Sequence, residues 1–252
     1  MQTELQVTRD GSHTLYSRQF DQLYHNPNGA ISESLHVFFE PSRIKSILKQ
    51  ETSLNILEVG FGTGLNLLLL LDMWLKSSRK TKVVFQSIEA YPISSETAKS
   101  LNYWEELGNP GLKEVLPKIF EALSPGQNII SFYPNFEVRI FYSLFDDFSA
   151  EDFQADSIFF DAFSPEVNPQ LWSDKVFEII AHYSKSNALL TTYCAASKAR
   201  AAMASAGWYV ARAPGALGKR EMTVASLNVK KLFGYKRVNE KKLAERYRAG
   251  DF

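Results

Sequence analysis

The apolar run Leu54-Asn-Ile-Leu57 leads straight into Glu58-Val-Gly-Phe-Gly-Thr-Gly64, and Leu65 to Leu71 then reads as a helix. Glycine at every second position lets the backbone adopt positive φ and approach a ligand closely, because no Cβ intervenes. A helix N-terminus behind such a loop supplies unpaired N–H groups and a positive dipole end. This strand–loop–helix corner is where open α/β sheets bind nucleotides. The spacing is G-x-G-x-G, which differs from the dinucleotide fingerprint G-x-G-x-x-G, and no Gly-Lys-Ser/Thr follows as a phosphate loop requires. A tight turn of an ordinary α/β protein is the plain alternative.

A second β-like run, Lys82-Val-Val-Phe-Gln-Ser-Ile-Glu89, ends in a carboxylate 25 residues after Gly64. In nucleotide-binding α/β folds an acid at the end of the second strand accepts hydrogen bonds from ribose hydroxyls, so Glu89 is the ribose candidate. An acid before the first glycine and alternating glycines after it resemble the pattern of class I S-adenosylmethionine methyltransferases.

The remaining strand candidates set the fold class. They are Asn55 to Val59, Lys82 to Ile88, Glu137 to Ser143, Ser157 to Asp161, Ala188 to Tyr193, Trp208 to Ala213 and Met222 to Leu227. Connections between the first five are long enough for helices, which predicts a parallel, doubly wound α/β sheet. The last two are joined through Pro214-Gly215, too short for a crossover, so one strand is antiparallel. The expectation is a Rossmann-like, seven-stranded, mostly parallel sheet with one antiparallel strand. Leu5 to Tyr16 reads as a β-hairpin turning at Asp10-Gly11, and Ser32 to Lys49 as helix broken at Pro41. Residues 1–50 are thus expected as an N-terminal extension (hairpin plus helices) packed on the core, and residues 51–229 as the catalytic domain. Residues 94–135, with Trp104, Pro110, Pro117 and Pro125, are expected as a helical insertion, and residues 230–252 as a basic C-terminal tail.

The 252 residues carry 28 Lys and Arg against 28 Asp and Glu, so net charge alone gives no pull toward nucleic acid. The distribution is uneven: Lys230 to Arg248 holds eight lysines and arginines against Glu240 and Glu245, with Phe233, Tyr235 and Tyr247 interspersed. Such a segment either grips a phosphate backbone or forms a solvated terminal helix. The N-terminal Met1-Gln-Thr-Glu-Leu has no signal-peptide character, and the longest apolar run, Leu67 to Leu71, is too short to span a bilayer. The single cysteine, Cys194, is expected in the core, which with the lack of an internal disulfide suits a reducing cytoplasm. The four histidines show no metal-ligand spacing. No metal and no membrane association are expected, and a monomer is favoured.

A second constellation follows the strand Ser157-Ile-Phe-Phe: Asp161-Ala-Phe-Ser-Pro-Glu-Val-Asn-Pro-Gln-Leu-Trp172. Ligands of open α/β sheets bind at the carboxyl ends of strands, so Asp161 points into the crevice of the glycine loop. Prolines stiffen the segment and Phe163 can stack on a base, giving Phe163, Ser164 and Pro165 as substrate candidates. Asp146 and Asp147 follow the third strand, where the resemblance to class I methyltransferases implies an acid near the adenine amino group. Gly215-Ala-Leu-Gly-Lys-Arg-Glu-Met222 puts Lys219 and Arg220 on the rim as phosphate contacts.

Five ordered stretches together resemble the methyltransferase domain of bifunctional tRNA 5-methylaminomethyl-2-thiouridine biosynthesis proteins and its stand-alone relatives. They are Leu15-Tyr-Ser-Arg-Gln-Phe-Asp-Gln-Leu-Tyr24, Gly60-Phe-Gly-Thr-Gly-Leu-Asn66, Ser87-Ile-Glu-Ala-Tyr-Pro92, the segment Asp161 to Trp172, and Gly218-Lys-Arg-Glu-Met222. Ala90 and Phe145 depart from the family pattern, which often has lysine and glycine there. The resemblance implies methyl transfer from S-adenosylmethionine to the 5-aminomethyl group of a modified wobble uridine in tRNA. It further implies either a separate enzyme that supplies the aminomethyl precursor or another route to that group, since the flavin-dependent oxidase half is absent from these residues. Glu58, Gly60, Phe61, Gly62, Thr63, Gly64, Asn66, Glu89, Asp146 and Asp147 are then the cofactor candidates. Asp161 orients the amine or also takes its proton, and Tyr16, Arg18, Asp21 and Tyr24 wall the substrate pocket. Methylation of a small molecule or protein, or cofactor binding without turnover, are the competing readings.

Overall fold

The computed structural model describes residues 2–150 and 152–252. A three-stranded antiparallel sheet opens the chain: β1 (Thr3–Val7), β2 (His13–Ser17) and β3 (Gln22–Leu23). Its first turn is held by Asp10, which accepts hydrogen bonds from Thr8, Ser12 and Ser32 side chains. Burial works to raise the Asp10 pKa, but these bonds outweigh it and hold the group down at about 2. Ser32 lies in α1 (Ala30–Ser34), so the same carboxylate ties the hairpin to the first helix.

From α1 the chain runs through one π-helical turn, Leu35–Phe39, closed by the Glu40 N–H on the Leu35 carbonyl at 3.0 Å. The turn sets Phe38 and Phe39 side by side against Phe159, with ring centroids 5.2 and 5.3 Å away. The helical pattern stops at Pro41 as expected and resumes in α2 (Ile44–Gln50). The main sheet follows: β4 (Ser53–Val59), α3 (Leu65–Leu75), β5 (Lys82–Glu89), α4 (Ser95–Lys99), α5 (Tyr103–Glu106) and α6 (Val115–Ala122). Then come β6 (Gly126–Tyr133), β7 (Phe136–Tyr142), β8 (Ala155–Phe160), α7 (Asp174–His182), β9 (Ser184–Thr192) and α8 (Ser197–Ser205). The chain closes with β10 (Tyr209–Pro214), β11 (Glu221–Ser226), β12 (Lys236–Arg237) and α9 (Glu240–Arg248).

The strand order is β12-β10-β11-β9-β8-β4-β5-β7-β6. Strands β9, β8, β4, β5 and β7 are mutually parallel, and β11 runs antiparallel between β9 and β10. These are the seven expected strands in Rossmann-like arrangement. The sheet has nine, however, because β6 and β12 extend its two edges, each antiparallel to its neighbour. β6 comes from the stretch expected to be helical: Ile130 and Phe132 pack on the core while Ile129 is exposed, and Pro134-Asn135 turns the chain into β7. β12 is two residues long and carries no periodicity.

Parallel strands are buried on both faces and read as continuous apolar runs. Along β4, Leu54 and Ile56 join one core while Leu57 and Val59 join the other. The leucines Leu65 to Leu71 are buried all round because α3 lies between the sheet and the helices α1, α2 and α5. Among the described residues no helix is long and apolar enough to cross a membrane.

The second core is anchored by Trp208, which is 1% exposed and donates its indole N–H to the Phe177 carbonyl at 3.0 Å. Trp208→Ala removes this ring and leaves a cavity, so equilibrium denaturation should show a loss of about 3–5 kcal/mol.

Candidate active site

At the carboxyl ends of β4, β5, β7, β8 and β9 lies a cavity of about 480 Å³, within the range of about 300–1,000 Å³ usual for ligand sites. The glycine loop forms one wall. Gly60 has φ +93°, and a Cβ there would sit 2.8 Å from the Asp161 carbonyl oxygen. Only glycine allows the β4 and β8 termini to meet so closely. Gly62 has φ +55° and faces the Tyr24 ring, 3.1 Å from where a Cβ would stand. Phe61, Thr63 and Asn66 line the cavity with them. Thr63 accepts a hydrogen bond from the buried Tyr103 hydroxyl at 3.0 Å.

Beneath the loop, two acids share one amide. Asn66 Nδ2 donates to Glu58 Oε1 and to Asp161 Oδ2, each at 3.0 Å. Glu58 also accepts from Ser87 Oγ at 2.6 Å and is 1% exposed. Burial pushes the Glu58 pKa up to about 8, against the pull of the Ser87 and Asn66 hydrogen bonds. Asp161 is driven well above the usual carboxylate range by burial and then by the charges of Glu58 and Glu33. Asn66 Oδ1 is buried with no hydrogen-bond partner. The site therefore presents an orphaned acceptor and two proton-hungry carboxylates, which suits a ligand bearing positive charge.

Glu89 lies across the loop at the end of β5. It accepts from the Gly62 N–H and the Tyr91 N–H, both at 2.8 Å. Burial raises its pKa, opposed by these backbone donors. Asp146 lines the same cavity, carried by the short 3₁₀ turn Phe145–Asp147.

The opposite wall comes from the N-terminal sheet. Phe20, Tyr24 and Phe163 pack as one cluster, with centroids 4.8 Å (Phe20–Phe163) and 5.0 Å (Tyr24–Phe163) apart, and Tyr91 touches Phe20 at 5.6 Å. His25 also lines the cavity; burial pushes its pKa down to about 4, so it is neutral near pH 7.

Other expected site residues lie elsewhere. Glu58 acts from below through Asn66, Gly64 starts α3 behind the lining, and Asp147 is exposed outside it. Tyr16 and Asp21 are hydrogen-bonded to each other and line an outer pocket of about 740 Å³, which reaches Lys219. Arg18 is turned away to pair with Glu4. Ser164, Pro165, Lys219 and Arg220 line a third pocket of about 490 Å³. Lys219 is not a bare cation: it pairs with buried Glu33 at 2.9 Å and sits 4.9 Å above the Tyr193 ring. Tyr193 borders all three pockets and donates its hydroxyl to the Ala162 carbonyl at 2.8 Å. It was not among the expected site residues, although it immediately follows β9, as Asp161 follows β8. Phe20, Gln22 and Tyr91 were missed likewise. Among the described residues no three His, Cys, Asp or Glu side chains converge to hold a metal ion.

A family model described as S-adenosyl-L-methionine-dependent methyltransferase matches residues 114–228. The chain is also 32% identical over 222 residues to the tRNA 5-methylaminomethyl-2-thiouridine biosynthesis bifunctional protein MnmC of Leptospira interrogans, covering 84% of this chain and 34% of that protein. The same protein from Delftia acidovorans is 32% identical over 216 residues, covering 82% of this chain and 32% of that protein. The crystal structure of MNMC2 from Aquifex aeolicus superposes with a TM-score of 0.73 at 26% identity, covering 98% of this chain and 75% of that one.

The chain belongs to the S-adenosylmethionine-dependent methyltransferases, in the family of the MnmC methyltransferase part. It spans about a third of the length of the curated relatives it matches. The cavity fits this cofactor by the chemistry of its lining: the carboxylates of Glu89, Asp146 and Asp161 border it beside the glycine loop and match a ligand with hydroxyls, an amino group and a positive charge.

Two outcomes follow from this geometry. Gly62→Val puts a branched side chain at positive φ against Tyr24, so calorimetric titration should show S-adenosylmethionine binding lost, with a stability cost of about 1–2 kcal/mol. Glu58 holds a proton in the folded protein up to about pH 8 but releases it near its usual value of 4.5 when unfolded. The native state thus binds the extra proton in that window, and stability falls as pH rises through it. Glu58→Gln should remove about 1 kcal/mol per pH unit of that slope between roughly pH 5 and 8, measured by urea denaturation at stepped pH.

Proposed function

We propose that this chain transfers a methyl group from S-adenosylmethionine to the 5-aminomethyl group of a modified wobble uridine in tRNA, giving 5-methylaminomethyl-(2-thio)uridine. The observation that carries the reading is Asp161: a carboxylate with strongly raised proton affinity at the junction of the glycine loop and the Phe163 segment. The relatives named for tRNA 5-methylaminomethyl-2-thiouridine biosynthesis support the substrate. Forming the aminomethyl group falls to a different catalytic unit, and a tRNA substrate puts the reaction in the cytoplasm.

When bound, the cofactor supplies a methyl carbon on a positively charged sulfur. Transfer of that methyl group to an amine would be an in-line displacement, with the C–N bond forming as the C–S bond breaks, so the task of this chain's residues would be alignment. Gly60 and Gly62 admit the cofactor, Glu89 holds its ribose and Asp146 meets its adenine. The Phe20, Tyr24 and Phe163 rings, packed at an angle to one another, give an aromatic wall for a base. Asp161 orients the amine and accepts its proton; burial has already moved its pKa toward that of the group it must deprotonate.

Incubation with labelled S-adenosylmethionine and total tRNA from a strain lacking this protein, followed by nucleoside analysis, tests the reading. Label in 5-methylaminomethyl-uridine nucleosides is expected. Cofactor binding with label in no tRNA nucleoside would overturn it, and label in protein or small molecules would redirect it. Asp161→Asn should keep cofactor and tRNA affinity nearly constant while turnover falls by on the order of 10²–10⁴. Single-turnover rates at saturation check this, and an unaltered rate would remove Asp161 from the chemistry.

A further inference from the structure

The C-terminal segment separates into parts with different commitments. Helix α9 docks on α8, burying Ala244, and the Tyr247 hydroxyl accepts from the Asp174 N–H at 3.3 Å. Tyr235 packs against the first core. Phe233 does neither and is 94% exposed.

Its exposure is built in. The Tyr235 N–H bonds the Leu232 carbonyl at 3.1 Å, Phe233 has φ −58° and ψ 130°, and Gly234 has φ +90°. These values make a type II turn with glycine at the position that requires it. Leu232, 2% exposed, and half-buried Tyr235 pin the two ends, so the ring stands out from a fixed base. Between Val229 and Asn239 the sequence has four cations and no acid. Arg237 is spent on Glu240 and the Tyr209 ring. Lys230, Lys231 and Lys236 are exposed and, among the described residues, join no ion pair.

This turn shares a sheet edge with the active-site rim. Lys236 is paired in register with Arg212 of β10, and β10 ends at Pro214, where the loop carrying Lys219 and Arg220 begins. At about 3.3 Å per residue the path from Arg212 to that loop is about 10 Å. A lone aromatic ring bordered by unpaired lysines is the pattern that holds single-stranded nucleic acid, with a base on the ring and phosphates on the cations. Large contiguous apolar patches mark protein-docking faces, whereas Phe233 stands between exposed lysines.

We propose that the Val229–Arg237 turn is a second RNA contact, on which an unpaired tRNA base stacks against Phe233 while Lys230, Lys231 and Lys236 neutralise neighbouring phosphates. It rests on tRNA being the substrate. The test uses the whole chain and compares wild type with Phe233→Ala, Phe233→Trp and the triple variant Lys230→Ala/Lys231→Ala/Lys236→Ala. The readouts are tRNA affinity from 50 to 200 mM salt, S-adenosylmethionine affinity, and methyl transfer at saturating tRNA. Phe233→Ala should weaken tRNA binding about 5- to 150-fold, with affinity kept in Phe233→Trp. The triple variant should lower the slope of log affinity against log salt by about 2–3, at about 0.7–0.9 per phosphate. Cofactor affinity and saturated turnover should not change. Variants that bind tRNA like a wild type that methylates it would overturn the inference and leave the substrate intact. So would sedimentation showing a dimer dissolved by Phe233→Ala with tRNA affinity unaltered. A wild type that neither binds nor methylates tRNA fails at the substrate, before any variant is compared, and the inference falls with it.

Discussion

The side-chain amide of Asn66 is the hinge of the site. It reaches Glu58 at the end of β4 and Asp161 at the end of β8, both at 3.0 Å. Burying two carboxylates side by side is unfavourable unless donors satisfy them, and each loses much of its tendency to ionise. The geometry around them is correspondingly fixed. The Asp161 N–H bonds the Val59 carbonyl at 2.9 Å, and the Gly60 N–H bonds the Ile88 carbonyl at 3.0 Å. Three adjacent strands are thus stitched together at the level where the glycine loop leaves the sheet. A cation entering the cavity favours the ionised form of both acids, so its binding is coupled to proton release. The same arrangement that favours the neutral form of both acids makes the cavity responsive to a positively charged ligand.

The acceptor side depends on the N-terminal sheet, which has little core of its own. β1 is largely exposed, yet the turn between β2 and β3, β3 itself and the residues after it carry Phe20, Gln22, Tyr24 and His25 to the cavity. Leu15 of β2 anchors this small sheet in the first core, and polar bonds add to that hold. Asp10 ties its first turn to α1, and the Asn102 side chain accepts from the His13 N–H at 2.8 Å and donates to the Gly11 carbonyl at 2.9 Å. Glu33, from α1, extends the connection by accepting from the Asn26 N–H at 2.7 Å and pairing with Lys219 on the rim loop. The aromatic wall and the rim are therefore joined through one buried glutamate. Lys219 was expected to meet phosphate; its bond to Glu33 and its seat over Tyr193 assign it to shaping the pocket, which leaves exposed Arg220 as the freer cation of the pair.

The parts of the fold legible in the sequence are those written in consecutive residues. Alternating glycines, the acid ending β5 and Asp161 after its apolar strand each follow from a strand's end and the rule that ligands gather there. The five parallel strands were legible from their apolar runs, such as Ile158 to Phe160 in β8 and Ala188 to Leu190 in β9, and from connections long enough to hold helices. What escaped depends on pairing between distant segments. β6 is an edge strand with an irregular pattern, recognisable only once β7 lies beside it, and β12 exists because β10 offers a free edge. Glu33 looks like an ordinary acid until a residue 186 positions away supplies its partner. Tyr193 obeys the same strand-end rule as Asp161, but an aromatic residue after an apolar run is read as more core, and only the meeting of three pockets distinguishes it.

The position of the site follows from strand order. From β4 the chain builds outward through β5 to β7, then crosses back to place β8 on the other side of β4 and continues to β9. The loops leaving β4 and β8 therefore depart in opposite directions, and a crevice opens between them without any further device. Gly60 and Asp161 face each other across that line, close enough that the glycine has no room for a side chain. Residues feeding from β5 and β7, Glu89 and Asp146, come to one side of it; Phe163 and Tyr193, feeding from β8 and β9, come to the other. Two sides of the cavity are thus consequences of topology, with Asp161 on the boundary between them, where burial raises its proton affinity well above that of an ordinary surface carboxylate.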